Sequence, residues 1–127
     1  MKRSIVETKK APPPVGPYSQ AIQAGNMVFV SGQIALHPET NEIPEEFTAQ
    51  CHQVLKNLQA ILEASGSSLE HTVKVMIYMT DIDRFNELNE IYAGYLGSAK
   101  PARACVEVSR LPKGVLVEMD AVALIGE

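Results

Sequence analysis

The stretch Val73-Lys74-Val75-Met76-Ile77-Tyr78-Met79 decides how the rest of the chain is read. Its positions are nearly all β-branched or apolar, a composition that suits a central strand covered on both faces. After it, Thr80-Asp81-Ile82-Asp83 has the form of a capping box with Asp in the usual Glu position. Ile82, Phe85, Leu88, Tyr92, Tyr95 and Leu96 then recur at helical spacing until Gly97. Before it, Phe47, Cys51, Val54, Leu55, Leu58, Ile61 and Leu62 mark a second amphipathic helix. Pro44-Glu45-Glu46 suits that helix's first turn, and Gly66 its stop. The strand thus sits between two helices, each with one apolar stripe to bury.

Further out, Ser4-Ile5-Val6 reads as a short strand. The run Ala11-Pro12-Pro13-Pro14-Val15-Gly16-Pro17 is a stiff extended connector, because Pro neither continues a helix nor donates to a central strand. That stiffness lowers the entropy lost in holding Tyr18 and Ser19 in place. Ala21 to Ala24 and Met27 to Ser31 flank Gly25-Asn26 as a hairpin. Ser31-Gly32-Gln33 ends it, with Gly32 allowing a bulge or the close approach of a ligand. Ala102 to Val108 and Val115 to Ile125 are the last strands, on either side of the loop Ser109 to Gly114. The order β, ββ, α, β, α, β, β predicts an α/β sandwich of the α+β class, with two helices on one face of a mixed sheet. A length of 127 residues suits one domain over residues 1–127, and 46% hydrophobic with 20% charged residues suits a packed core.

Eleven Lys and Arg against fifteen Asp and Glu give a net charge of −4, with a pI near 5.4, which makes a nucleic-acid partner unexpected. The two cysteines, Cys51 and Cys105, lack disulfide-framework or zinc spacing, so a reducing, cytoplasmic setting is expected. Cys51 falls on a buried stripe and reads as a small core residue. No export signal and no apolar run of membrane-spanning length is apparent. His37, His52 and His71 are scattered without ligand spacing, so no metal is expected. Nucleotide-phosphate and serine-hydrolase motifs are lacking, and no cofactor is called for.

Strand alternation narrows the candidates for chemistry. Arg103, Cys105 and Glu107 share one face, while Ala102, Ala104, Val106 and Val108 form a core-like opposite face. A guanidinium on a rigid strand suits bidentate capture of a carboxylate, with an ordinary surface ion pair as the alternative. Glu118 and Asp120 share a face with Val122 and Leu124. Carboxylates among apolar side chains have raised pKa values useful in proton transfer, unless a cation or a subunit contact explains them. Asn89 lies beside the apolar stripe of its helix, as a structural hydrogen bonder or a site residue.

The segment Pro101-Ala102-Arg103-Ala104-Cys105-Val106-Glu107-Val108, followed by Leu111-Pro112-Lys113 and Val117-Glu118-Met119, resembles the signature of the RidA/YjgF family of reactive-intermediate deaminases. Gly16-Pro17-Tyr18-Ser19-Gln20, Ser31-Gly32-Gln33-Ile34 and Asn89-Glu90-Ile91-Tyr92 match further family motifs, so the likeness spans essentially the whole chain. It implies a chorismate-mutase-like fold with the last strand between the hairpin and Val73 to Met79. It also implies a homotrimer with clefts between subunits. The implied activity is hydrolysis of 2-imino acids, such as 2-iminobutanoate and 2-iminopropanoate, to 2-oxo acids and ammonia.

Carried over by position, Arg103 clamps the substrate carboxylate with help from the backbone at Ser31 and Gly32. Glu118 and the Cys105 backbone hold the attacking water, and Tyr18 and Asn89 line the cleft, with Tyr18 counted with Arg103 and Glu118 in the catalytic set as the group that orders the substrate. Two rival readings remain: a trimer that binds 2-oxo acids or acts as a chaperone without catalysis, and RNA cleavage of the kind attributed to some relatives.

Overall fold

The computed structural model of the chain describes residues 2–126. Six strands form one sheet: β1 (Arg3–Val6), β2 (Ala21–Ala24), β3 (Met27–Gln33), β4 (Thr72–Met79), β5 (Ala102–Glu107) and β6 (Val117–Leu124). Their spatial order is β1-β2-β3-β6-β4-β5, so the last strand enters between the hairpin and β4, as the family resemblance implies. All neighbours are antiparallel except β4 and β5. That parallel pair needs a crossover, which the helix α2 (Phe85–Leu96) provides.

One sheet face packs against α1 (Phe47–Ala64) and α2. Val28, Val30, Val75, Ile77, Met79, Val117, Met119, Ala121 and Ala123 point into this core and meet Val54, Leu55, Leu58, Ile61 and Leu62 of α1. The expectation that β4 is covered on both faces therefore fails within one chain. Lys74, Met76 and Tyr78 alternate with its buried residues and lie on the helix-free face. The core-like face assigned to β5 is corrected in the same way: Ala102 and Val106 are exposed, and it is Arg103 and Cys105 that turn toward the helices. β5 is an edge strand, and strand alternation does not reveal which of its faces a helix covers.

The helix ends differ from the sequence reading at two places. Pro44-Glu45-Glu46 precedes α1 instead of forming its first turn. Glu46 is extended and serves as the N-cap, its carbonyl taking the first helical bond from Gln50 N, while the Gln50 side chain donates to Pro44 O at 2.8 Å. At the second helix the cap is Asp81, not Thr80. Its carboxylate accepts from Asp83 N at 3.0 Å and opens a short 3-10 turn, Ile82–Arg84, ahead of α2. Gly66 ends α1 as expected, at φ 81°, with Gly66 N and Ser67 N returning to the carbonyls of Glu63 and Leu62.

Buried amides on α1 tie the loops beside the sheet in place. Asn57, 1% exposed, donates to Ile34 O and Leu36 O. Gln50 accepts from Leu116 N at 2.8 Å as well as bonding Pro44. Such groups are tolerated inside a core only when their hydrogen bonds are made, so each one fixes a loop.

Candidate functional site

The carboxylate half of the candidate site begins at a β-bulge. Val30 pairs with Ala121 and Gln33 with Met119, which leaves Ser31 and Gly32 facing the single residue Asp120. The extra residue bends β3 and brings its backbone against the Glu118 side chain, where a Cβ built on Gly32 would collide with Oε2. The bulge is the one that Gly at a strand end suggested, and what comes close to it is the chain's own Glu118 side chain. Ser31 donates through Oγ to Ser19 O at 2.6 Å and through its amide to Gln20 O at 2.9 Å, joining the bulge to the Pro-rich arm.

That arm forms the wall of a cavity of about 370 Å³ whose lining includes Pro12, Val15, Tyr18, Gly32, Ile34 and Glu118. The arm is held by the side chain of Gln20, which is 3% exposed. Its Oε1 accepts from Thr8 N at 2.7 Å, and its Nε2 donates to the carbonyls of Thr8, Ala11 and Pro12. Tyr18 closes the arm's turn, its hydroxyl accepting from Val15 N at 3.3 Å. Sequence reasoning did not single out Gln20 as a support. Its place directly after Tyr18-Ser19, at the end of the motif Gly16-Pro17-Tyr18-Ser19-Gln20 and just before β2, was the available signal.

Glu118 is half-buried and its carboxyl is raised above the usual range, first by desolvation and then by the neighbouring Asp120. Asp120 is raised by burial as well, against the lowering effect of its hydrogen bond from Tyr78 Oη, at 3.3 Å. The two acids therefore share an electrostatic neighbourhood in which each ionised form is disfavoured.

The cationic half lies elsewhere. Arg103 is half-buried against α2, where Nη1 donates to Asn89 Oδ1 at 2.8 Å, and its guanidinium carbon stands 4.8 Å from the Tyr92 ring centroid and 5.4 Å from that of Phe85. Glu107, the acid on the same strand face, bonds instead to Ile82 N at 2.9 Å. Cys105 directs its thiol to Met79 Sδ at 3.4 Å, and burial raises its pKa, so it lies beside Arg103 as a neutral wall. Cys51 is fully buried, its thiol pushed up to about 12, which fits a core residue. Of the contact residues, Phe85 appears in the sequence only as a member of an apolar stripe, and Tyr92 as a member of that stripe and of the Asn89-Glu90-Ile91-Tyr92 motif.

The sequence-derived candidates thus fall into two groups. Tyr18, Ser31, Gly32 and Glu118 meet at one cavity, while Arg103, Asn89 and Cys105 meet at the β5 edge. Glu118 alternates with the buried Val117 and Met119 and points away from the helices, whereas Arg103 lies on the helix side. Registers Glu118–Tyr78–Val106 and Ala121–Val75–Arg103 place them two strands apart, about 10 Å, and a further three residues along. No small ligand bridges them within one chain. The histidines stay separate: His52 bonds Tyr95, His71 bonds Ser68, and His37 closes its own turn.

The sheet order, the two-helix layer and the bulge facing a carboxylate define a small sheet-and-helix protein whose candidate acid and guanidinium lie on opposite sheet faces. The family described as Endoribonuclease L-PSP matches residues 8–125, and the chain belongs to that family, which is the YjgF/RidA family. A RutC family protein of Pyrococcus abyssi is 52% identical over 97% of this chain and 98% of its own length. Among solved structures, RidA from an Antarctic Psychrobacter is 46% identical with a TM-score of 0.93, covering 96% of this chain and 99% of that one. TdcF of E. coli with bound serine is 40% identical with a TM-score of 0.92, covering 97% of this chain and 99% of that one. No helix among the described residues is long and apolar enough to cross a membrane.

Proposed function

We propose that the chain hydrolyses small 2-imino acids, such as 2-iminobutanoate and 2-iminopropanoate, to 2-oxo acids and ammonia, in clefts completed by a second copy within a homotrimer. The observation that carries this reading is the Glu118 carboxylate, desolvated and held against the Gly32 bulge at the wall of a cavity. A protonated imine is already electrophilic, so orientation, a charge clamp and a directed water suffice for its hydrolysis. Arg103 grips the substrate carboxylate, and Tyr18 and the backbone at Ser31 and Gly32 set its place. Glu118 takes a proton from water as the oxygen adds to the C=N carbon. The proton then passes to nitrogen, and the carbinolamine collapses to the keto acid with loss of ammonia. Because Arg103 and Glu118 stand on opposite sheet faces, the guanidinium of one copy serves the carboxylate of another. The serine in the E. coli relative is a small amino acid with the same carboxylate handle.

The test couples a pyridoxal-phosphate-dependent threonine or serine dehydratase to this protein and follows the loss of imine. Arg103→Ala is expected to abolish the acceleration with the fold intact. Glu118→Gln is expected to slow turnover more than it weakens 2-oxobutanoate binding. A native protein that binds the oxo acid without speeding imine loss would support the binding-only reading. RNA cleavage is the reading that the family description favours. The net charge of −4 and the separated histidines argue against it, and cleavage that disappears in both variants would revive it.

A further inference from the structure

Phe85, Asn89 and Tyr92 occupy positions i, i+4 and i+7 of α2, so they form a single stripe along one side of the helix. Arg103 lies over that stripe, with a ring near the guanidinium at each end and an amide oxygen on Nη1 between them. We propose that this stripe is a cradle that fixes the plane of the Arg103 guanidinium and leaves its other edge free for a ligand carboxylate, making Phe85, Asn89 and Tyr92 positioning residues that act through Arg103.

Three features support the assignment. An arginine side chain carries considerable rotamer freedom, and freezing it ahead of binding removes that cost from the ligand's affinity. A neutral amide achieves this without cancelling the positive charge, whereas an acid at residue 89 would compete with the ligand for the same donors. The rings add cation–π attraction while shielding the guanidinium from water. Tyr92 is 8% exposed, so its ring is held firmly beside the guanidinium. Asn89 thereby acquires a role different from lining the cleft: it holds the clamp instead of touching the ligand.

This inference rests on the proposed activity for its kinetic consequence but not for its physical content, and the experiment separates the two. Phe85→Leu keeps apolar bulk and removes the ring. Its affinity for 2-oxobutanoate, measured by titration calorimetry, should fall about three- to tenfold, as expected for loss of one partly desolvated cation–π contact, and Phe85→Trp should restore it. Asn89→Asp should weaken binding at least as much, by neutralising the clamp. In an Arg103→Lys background, which keeps a point charge without a planar fork, Phe85→Leu should change affinity by less than about twofold, because the ring has nothing left to orient. An equal loss in both backgrounds would show that Phe85 touches the ligand directly and would overturn the cradle. Side-chain NMR of Arg103 supplies a readout that needs no ligand: rotation about its Nε–Cζ bond should be hindered in the native protein and freed by Phe85→Leu. If the native protein neither binds the oxo acid nor hydrolyses imines while that rotation is hindered, the proposed activity fails and the cradle stands. Free rotation in the native protein would overturn the cradle whatever the activity.

Discussion

At Gly32 the absence of one methyl group gives the Glu118 carboxylate its room. The obstructing atom is the end of a flexible side chain, so Gly32→Ala should swing that carboxylate aside without unfolding the sheet. Imine hydrolysis is expected to fall by a factor of about 100 or more, in line with losing a positioned proton-transfer group, while the thermal midpoint moves by only a few degrees. Wild-type turnover in that variant would show that the carboxylate does not act from its place in the bulge. The partner acid gives a second prediction. Burial raises both carboxyls above their ordinary values of 4.5 and 3.8, so the folded chain binds protons more tightly than the unfolded one just above that range. Stability therefore falls as pH rises through the window and recovers below it, where both states are protonated. Asp120→Asn keeps an acceptor for Tyr78 but removes the charge. The variant should have a higher urea midpoint than the parent at pH 7 and the same midpoint near about pH 3, and the acid limb of its pH–rate profile should move to lower pH. An unmoved limb would mean that Asp120 does not tune Glu118. Much at this scale was legible in the sequence, because two acids among apolar neighbours and a glycine at a strand end are local signals. The Arg103 contacts were not, since they join residues eleven to eighteen positions apart across a helix and a strand.

The Pro-rich arm is the element whose support is most concentrated. Proline supplies no amide donors and the arm joins no ladder, so Gln20 carries its attachment through four hydrogen bonds. Gln20→Ala should cost about 2 to 4 kcal/mol, several bonds of roughly 1 kcal/mol each, and should speed amide exchange between Thr8 and Tyr18. KM for the imine should rise more than kcat falls, because the cavity wall loosens while Glu118 stays in place. A variant with unchanged exchange would show that packing and the Ser31 hydrogen bonds hold the arm without the Gln20 side chain. At the end of α1, Gly66 tests backbone geometry separately from contacts. A Cβ there meets Ile125 at an ordinary distance, 3.6 Å, yet φ is 81°, so Gly66→Ala should lower stability by about 1 kcal/mol in urea unfolding through conformation alone. The elements themselves were legible from periodicity: both helices and all six strands lie close to where apolar spacing puts them. Periodicity did not locate their ends, because Glu46 and Asp81 act as caps through bonds to particular neighbours. It was also silent on the insertion of β6, since strand order depends on long-range pairing that a short loop does not encode. The family resemblance supplied that order instead.

Across the whole molecule, the proposed function depends on what covers the helix-free face of the sheet. Ile5, Ile22, Phe29 and Val122 form a continuous cross-strand row there, with Ile5 59% and Phe29 46% exposed. A strip of this kind on a sheet without a covering layer favours burial against other copies. In the proposed trimer the solution mass is about 41 kDa, three times 13.8 kDa, and Phe29→Asp should yield folded monomers without activity. The opposed faces of Arg103 and Glu118 lead to a sharper test. If each cleft takes its guanidinium from one copy and its carboxylate from the next, a mixture of two inactive proteins must regain function. Arg103→Ala chains retain a sound carboxylate, and Glu118→Gln chains a sound clamp. After equal mixing and subunit exchange, each member of a cleft is of the required type half the time, so about a quarter of the clefts, and of the native activity, should return. Native mass spectrometry of the mixture establishes that exchange has occurred. If exchange is complete and activity stays at the level of the separate variants, both groups serve a cleft from the same chain, and the split site is wrong.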